Sequence, residues 1–159
     1  MAKAKILSVE QTEIAGLFTI IFEGENASEF DKFITKFIND AKLVSDLQQI
    51  LNQIDLMMSR QGFTERNFRY EGKPSDGVVA LPIYKNSLRL YCLRLSDSVM
   101  IVGNGGIKTA RTYEQDNTLN GYVISLQKLD ALLKADIKKG IVRIEKTEII
   151  GADKKEYDL

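Results

Sequence analysis

Lys108, Arg111 and Tyr113 fall within six residues, directly after Gly103-Asn104-Gly105-Gly106, and Arg89 lies in the apolar run before them. Two guanidinium groups suit charge developing on a phosphoryl group, because each offers planar, charge-assisted hydrogen bonds. A lysine crowded by two arginines has its pKa pushed down by like charge and becomes a usable base. Tyr113 offers a proton donor or a face on which a base can stack. Each residue also has a plain structural reading. Arg89 would then pair with a carboxylate across a sheet, and Tyr113 would close the core. The glycine cluster by itself is ordinary turn chemistry.

The chain contains no histidine and a single cysteine, Cys92. Ser-His-Asp and Cys-His catalysis are therefore excluded, and the residues for a zinc or iron–sulfur site are missing. No metal and no cofactor is expected. Cys92 sits in an apolar run and reads as a small buried group. The 159 residues carry 22 cations and 22 carboxylates, but the charge is uneven. From Arg60 to Tyr113 there are nine cations (Arg60, Arg66, Arg69, Lys73, Lys85, Arg89, Arg94, Lys108, Arg111) against four carboxylates. A basic middle on a neutral chain suits a local anion site better than a protein that coats nucleic acid. Arg66, Arg69, Lys73 and Lys85 are the candidates for binding a polyanion around it, with solvated loop charges as the alternative. No apolar run approaches the roughly 20 residues of a membrane span. The basic start, Met1-Ala2-Lys3-Ala4-Lys5, is followed by only two apolar residues. No membrane contact and a cytoplasmic location are expected.

The elements that must position these groups read as follows. Lys5–Thr12 and Leu17–Phe22 are rich in β-branched and aromatic residues, with Ala15-Gly16 between them, and form a hairpin. Ser28 followed by Asp31 resembles a capping box, and Phe30, Phe33, Ile34, Phe37 and Ile38 make one helical stripe. A second helix runs from about Leu43 to Arg60, stopped by Gly62, with Met57 and Met58 as core fillers. Phe63–Asp76 is a loop or a short extended segment. Val78–Tyr84, Leu88–Leu95 and Val99–Val102 form an antiparallel meander that empties into the glycine turn. Asn120–Ala135 is a third helix, Ile141–Ile150 a last strand, and residues 151–159 a frayed tail. The fold class is α+β: a mostly antiparallel sheet, two helices from the amino-terminal half packed on it, and a carboxy-terminal helix. Residues 1–150 make a single domain.

This order of parts resembles the RelE/HigB-type toxins of bacterial type II toxin–antitoxin systems and their phage-derived relatives. Gly77-Val78-Val79-Ala80-Leu81-Pro82, Leu88-Arg89-Leu90-Tyr91 and Val99-Met100-Ile101-Val102 entering Gly106-Ile107-Lys108-Thr109-Ala110-Arg111 carry the resemblance. The RelE-like core would span about residues 28–135, with the amino-terminal hairpin and carboxy-terminal strand as additions. The resemblance implies a metal-independent endoribonuclease that cleaves mRNA, with ribosome dependence left open, silenced by a cognate antitoxin of helix-turn-helix type. It implies that Arg89 contacts the scissile phosphate, that Lys108 and Arg111 stabilise its charge, and that Tyr113 lies near the substrate. RNA brings its own nucleophile, the 2′-hydroxyl, so alignment and charge stabilisation would carry the reaction. Two departures stand out: Ala80, Leu81 and Pro82 occupy positions where some members carry lysines, and the chain is neutral. They favour an alternative, a catalytically silent RelE-like protein-binding module of mobile-element origin. A small-molecule anion binder using Gly103–Gly106 is a third reading.

Overall fold

The computed structural model describes residues 2–70, 76–81, 87–108 and 117–159. The chain opens with a hairpin, β1 (Lys3–Gln11) and β2 (Gly16–Phe22), joined by a turn in which the Thr12 hydroxyl accepts from the backbone of Ile14 and Ala15. Its register slips between Ser8 and Glu10, so Val9 is an extra residue in β1. Helix α1 (Glu29–Phe37) starts where the Ser28 hydroxyl accepts from Asp31 N at 3.1 Å. That bond satisfies one amide the first turn leaves open, and Glu29 and Asp31 favour the helix dipole there. The stripe buries Phe30, Phe33 and Phe37, while Ile38 at its end stays exposed.

Helix α2 (Val44–Leu56) runs into a single π turn, Met57–Gln61, and stops at Gly62. Gly62 takes φ +70°, and its amide closes the turn on the Met57 carbonyl at 2.8 Å. Met57 and Met58 are fully buried. A 3-10 turn, Glu65–Asn67, then leads to β3 (Arg69–Tyr70). Three further strands follow, β4 (Val78–Leu81), β5 (Leu88–Arg94) and β6 (Val99–Ile107), and after them α3 (Asn117–Lys138). The first meander strand ends at Leu81 among the described residues; the expected continuation to Tyr84 lies outside them.

The main sheet has seven strands in the order β3-β4-β5-β6-β2-β1, closed by β9 (Tyr157–Asp158). All neighbours are antiparallel except β2 and β6, which run parallel from Gly16↔Val99 to Thr19↔Val102. The α+β class and the mostly antiparallel sheet agree with the sequence. Alternation along β4, β5 and β6 sends Val79, Leu81, Leu88, Leu90, Cys92, Met100 and Val102 to one face, under α1 and α2. Val78, Ala80, Tyr91, Leu93, Val99 and Ile101 go to the other, against Leu119, Val123, Leu126, Leu129 and Leu133 of α3. Helices thus cover both faces of these three strands, which is why their sequence is apolar without alternation. Each fully buried large aliphatic or aromatic side chain contributes about 1.5–3 kcal/mol.

Three expectations are corrected. Gly103–Gly106 is not a flexible turn but the second half of β6, paired through Leu90↔Gly105 and Arg89↔Gly106. The register with β5 slips between Leu90 and Cys92, and a Cβ built at Gly105 would sit 1.8 Å from the Arg89 carbonyl oxygen. Glycine is there because two backbones meet, not because the chain must flex. Ile141–Ile150 is not one strand but a small hairpin, β7 (Arg143–Glu145) and β8 (Glu148–Ile150), turning at Lys146, which takes φ 53°. Residues 151–159 are not frayed. Ala152, Tyr157 and Leu159 are buried, β9 pairs with Lys3 and Ala4, and the Tyr157 hydroxyl donates to Asp136 Oδ2 at 3.0 Å.

Gly105→Ala is expected to destabilise by roughly 1–3 kcal/mol through overpacking. Gly121→Ala, in α3 with open space around it, is expected to stabilise by about 0.5–1 kcal/mol. Thermal unfolding of the two variants, with opposite signs of the Tm shift, checks the pair.

Candidate functional site

Arg89 and Lys108 come together at one end of the β5–β6 ladder. Arg89 lies opposite Gly106, and Lys108 extends the ladder one step, its amide donating to the Ser87 carbonyl at 3.0 Å. Residues opposite one another share a face, so this register directs Arg89 and Lys108 to the α3 side as diagonal neighbours, roughly 7–8 Å apart at Cα. Arg89 shares that face with Tyr91 and Leu93, which alternate with it along β5. The two cations differ in access. Lys108 is half-buried, whereas Arg89 is only 8% exposed and its Nη1 donates to the Leu88 carbonyl at 2.9 Å. Leu119, in the first turn of α3, packs against Gly106, the residue across from Arg89. The arginine therefore lies in the layer beneath the start of α3.

The remaining expected residues divide into two groups. Arg66 is in the 3-10 turn and Arg69 in β3, both exposed at the outer edge of the sheet. Arg69 pairs with Ala80 and so lies level with Tyr91, two strands from Arg89 and about 10 Å to the side. The sheet does not bring these two arginines to Lys108. Arg111, Tyr113, Lys73 and Lys85 lie outside the described residues. Cys92 is fully buried, and burial pushes its thiol up, as expected of a packing group and not of a nucleophile. Among the described residues no group of three His, Cys, Asp or Glu is placed to hold a metal ion.

Beside Arg89 and Lys108 stands a polar network that sequence reasoning missed. Strand β2 leaves β6 after Thr19↔Val102, so the β6 edge beyond Val102 must be satisfied by something else. Side chains do it. Lys36 Nζ donates to the Gly105 carbonyl at 2.6 Å, and the Asn104 side-chain Oδ1 accepts from Gly105 N at 2.8 Å. Asn104 Nδ2 reaches Glu29 Oε1 at 3.4 Å, and Lys32 Nζ donates to the other Glu29 oxygen at 2.6 Å while also pairing with Glu25. Lys36 sits 5.1 Å from the centre of the Tyr122 ring, which links α1 to α3 across the strand. Thr19 ties the other end, donating to the Val102 carbonyl and accepting from Phe30 N. The signal was present in the sequence. Glu29, Lys32 and Lys36 are spaced by three and four along the helix, beside the Phe stripe, where a solvated face was the simpler reading.

Burial lowers the pKa of Lys36, with Lys32 adding to the effect and Glu29 opposing it. Burial pulls Lys32 down as well, but bonds to Glu25 and Glu29 leave it raised. The Lys36 ammonium is spent on the Gly105 carbonyl, so the chemistry of this network is that of a fastening for the β6 edge. Among the described residues no helix is long and apolar enough to cross a membrane. No family model, curated protein or solved structure matches the chain.

Side-chain NMR titration is expected to place Lys36 below the ordinary lysine value of 10.5. Glu29→Gln should lower it further, since it removes a negative charge that holds the ammonium. Because the folded value lies below the unfolded one, the strain of burying this charge is full at neutral pH. It is relieved as pH rises toward 10.5, and stability gains over that window.

Proposed function

We propose that this chain is a protein-binding module of RelE-like arrangement that works through contacts with a partner protein and not by cutting RNA. The order of parts supports the arrangement: a hairpin, two helices, a three-strand meander and a further helix. One observation carries the binding reading. Arg89, on which phosphoryl chemistry would depend, lies 8% exposed in the layer beneath α3. A guanidinium so little exposed, on the face that also holds Leu119, Val123, Leu126, Leu129 and Leu133, offers a polymer phosphate little surface to meet. The expected strand lysines are absent as well, and Ala80 and Leu81 in their place are buried. The partner of this reading is a small regulator of helix-turn-helix type, encoded beside it.

A second reading is favoured by a different observation, the shared face of Arg89 and Lys108 at the ladder end. There the chain would be a metal-independent endoribonuclease of a toxin–antitoxin pair, acting on mRNA. Arg89 would hold the nonbridging oxygens, Lys108 would take the proton of the 2′-hydroxyl, and Arg111 and Tyr113 would follow from the next segment.

One comparison separates the two. Wild type, Arg89→Ala and Lys108→Ala are purified, melted, incubated with labelled RNA and induced in cells. The binding reading expects no new RNA ends, equal growth of all three strains and stable copurification with the product of the adjacent open reading frame. It also expects Arg89→Ala to lose about 2 kcal/mol, a Tm drop of roughly 4–8 °C. RNA cleavage by wild type that Lys108→Ala abolishes at unchanged Tm would overturn it and establish the second.

A further inference from the structure

Helix α3 carries two carboxylates, and both are turned inward. Asp130 is 5% exposed and pairs with Lys134 at 2.8 Å, and Asp136 is 8% exposed and accepts from the Tyr157 hydroxyl. The outward side of the helix therefore shows cations alone: Lys128, Lys134 and Lys138, with Lys139 just past its end. Asp76 comes to its flank, where Gln127 Nε2 donates to it at 2.9 Å. Among the described residues Lys128, Lys138 and Lys139 enter no ion pair. A solvated helix face ordinarily mixes both signs, because opposite charges three or four residues apart support the helix. In a chain with 22 cations and 22 carboxylates, an outward face of one sign is a departure.

Apolar residues share that side in a regular order. Ile124, Lys128, Ala131, Ala135 and Lys138 are all exposed and follow at intervals of four, three, four and three, with Leu132 beside them. Such intervals keep residues on one line along a helix, the line on which a second helix packs. From Ile124 to Lys138 it runs about 21 Å. Ile124 is 39% and Leu132 37% exposed, whereas Leu119, Val123, Leu126, Leu129 and Leu133 are occupied against the sheet.

We infer that this side of α3 docks an acidic amphipathic helix of a partner protein. Apolar side chains of that helix, at the same intervals, cover Ile124, Ala131, Leu132 and Ala135. Carboxylates beside them pair with Lys128, Lys138 and Lys139. Other occupants fit less of the surface. A phosphate backbone leaves Ile124 and Leu132 uncovered, and α3 lacks the arginine fork that grips phosphate in two places. A bilayer surface takes bulky apolar side chains among its headgroups, and here the leucines at 119, 126, 129 and 133 are turned to the sheet. A second α3 would bring cations to both sides of the contact. In naming the surface and the chemistry of the partner, the inference rests on the binding-module reading, whose own test is copurification and RNA cleavage.

A fluorescein-labelled synthetic helix tests the inference, with leucine and alanine at these intervals and glutamate on both flanks. It is titrated with the purified protein and read by anisotropy. Wild type is expected to bind it saturably. Lys128→Glu/Lys138→Glu is expected to bind roughly tenfold more weakly, since two attractions become repulsions. Ile124→Gln/Leu132→Gln is expected to bind roughly fivefold more weakly with an unchanged far-UV spectrum. Lys42→Glu/Lys154→Glu, the same change of charge away from α3, is expected to match wild type. A companion peptide with lysine on its flanks is expected to bind Lys128→Glu/Lys138→Glu and not wild type. Wild type that leaves the acidic peptide free overturns the inference, and so does a charge-reversed α3 that binds it as tightly. Phosphatidylserine vesicles or labelled RNA held through Lys128 and Lys138, with the peptide left free, overturn it as well. Copurification with the product of the adjacent open reading frame that survives both α3 double variants overturns it and leaves the binding-module reading standing. RNA cleavage by a wild type that binds the peptide through α3 overturns that reading and supports the docking face.

Discussion

Strand β6 carries a demand no other element carries: it must be covered on both faces while losing its strand neighbour on one edge halfway along. Up to Val102 the parallel partner β2 meets that demand. Beyond it the strand continues as Gly103-Asn104-Gly105-Gly106, and helices close in where a strand has left. Leu126 packs on Gly103 and Leu119 on Gly106 from the α3 side, while Lys36 and Glu29 reach in from α1. Small residues let the helices approach, and the asparagine with its charged neighbours satisfies the edge. The arrangement explains why a glycine-rich run, ordinarily a sign of mobility, lies here buried within the sheet.

The sequence displayed most of the elements because their signals are local. The Phe stripe, the Ser28 cap, the Gly62 stop and the β-branched and aromatic runs of the hairpin each depend on neighbours close in the chain, and each was legible. What was not legible depends on partners distant in the chain. Whether Gly103–Gly106 bends or extends is decided by β5 and α3, not by glycine. Tyr157 and Leu159 look like a loose end until β1 offers an edge and Asp136 an acceptor. The charges of α1 show the same limit, since Glu29 and Lys36 stand at positions a solvated face would also occupy.

Of the candidate site, the nearness of Arg89 to Lys108 was expected from the order of the elements, but the register that sets it follows from β6 running on through Gly103–Ile107, which the sequence did not show. The burial of Arg89 was not, because it depends on where α3 lands, and α3 joins β6 through residues whose sequence sets no direction. Arg66 and Arg69 read as part of a basic middle only along the chain. In space β3 holds them at the outer rim.

The parallel pairing of β2 with β6 has a consequence for how the protein is made. Thr19 waits for Val102, a partner 83 residues further along the chain, and at ribosomal speeds of 5–20 residues per second that is roughly 4–16 s. Through that interval the nascent hairpin carries Leu17, Phe18 and Ile20 without the strand that will shelter them. A chaperone that recognises short apolar stretches would find its best opportunity there, before the middle of the chain has left the exit tunnel.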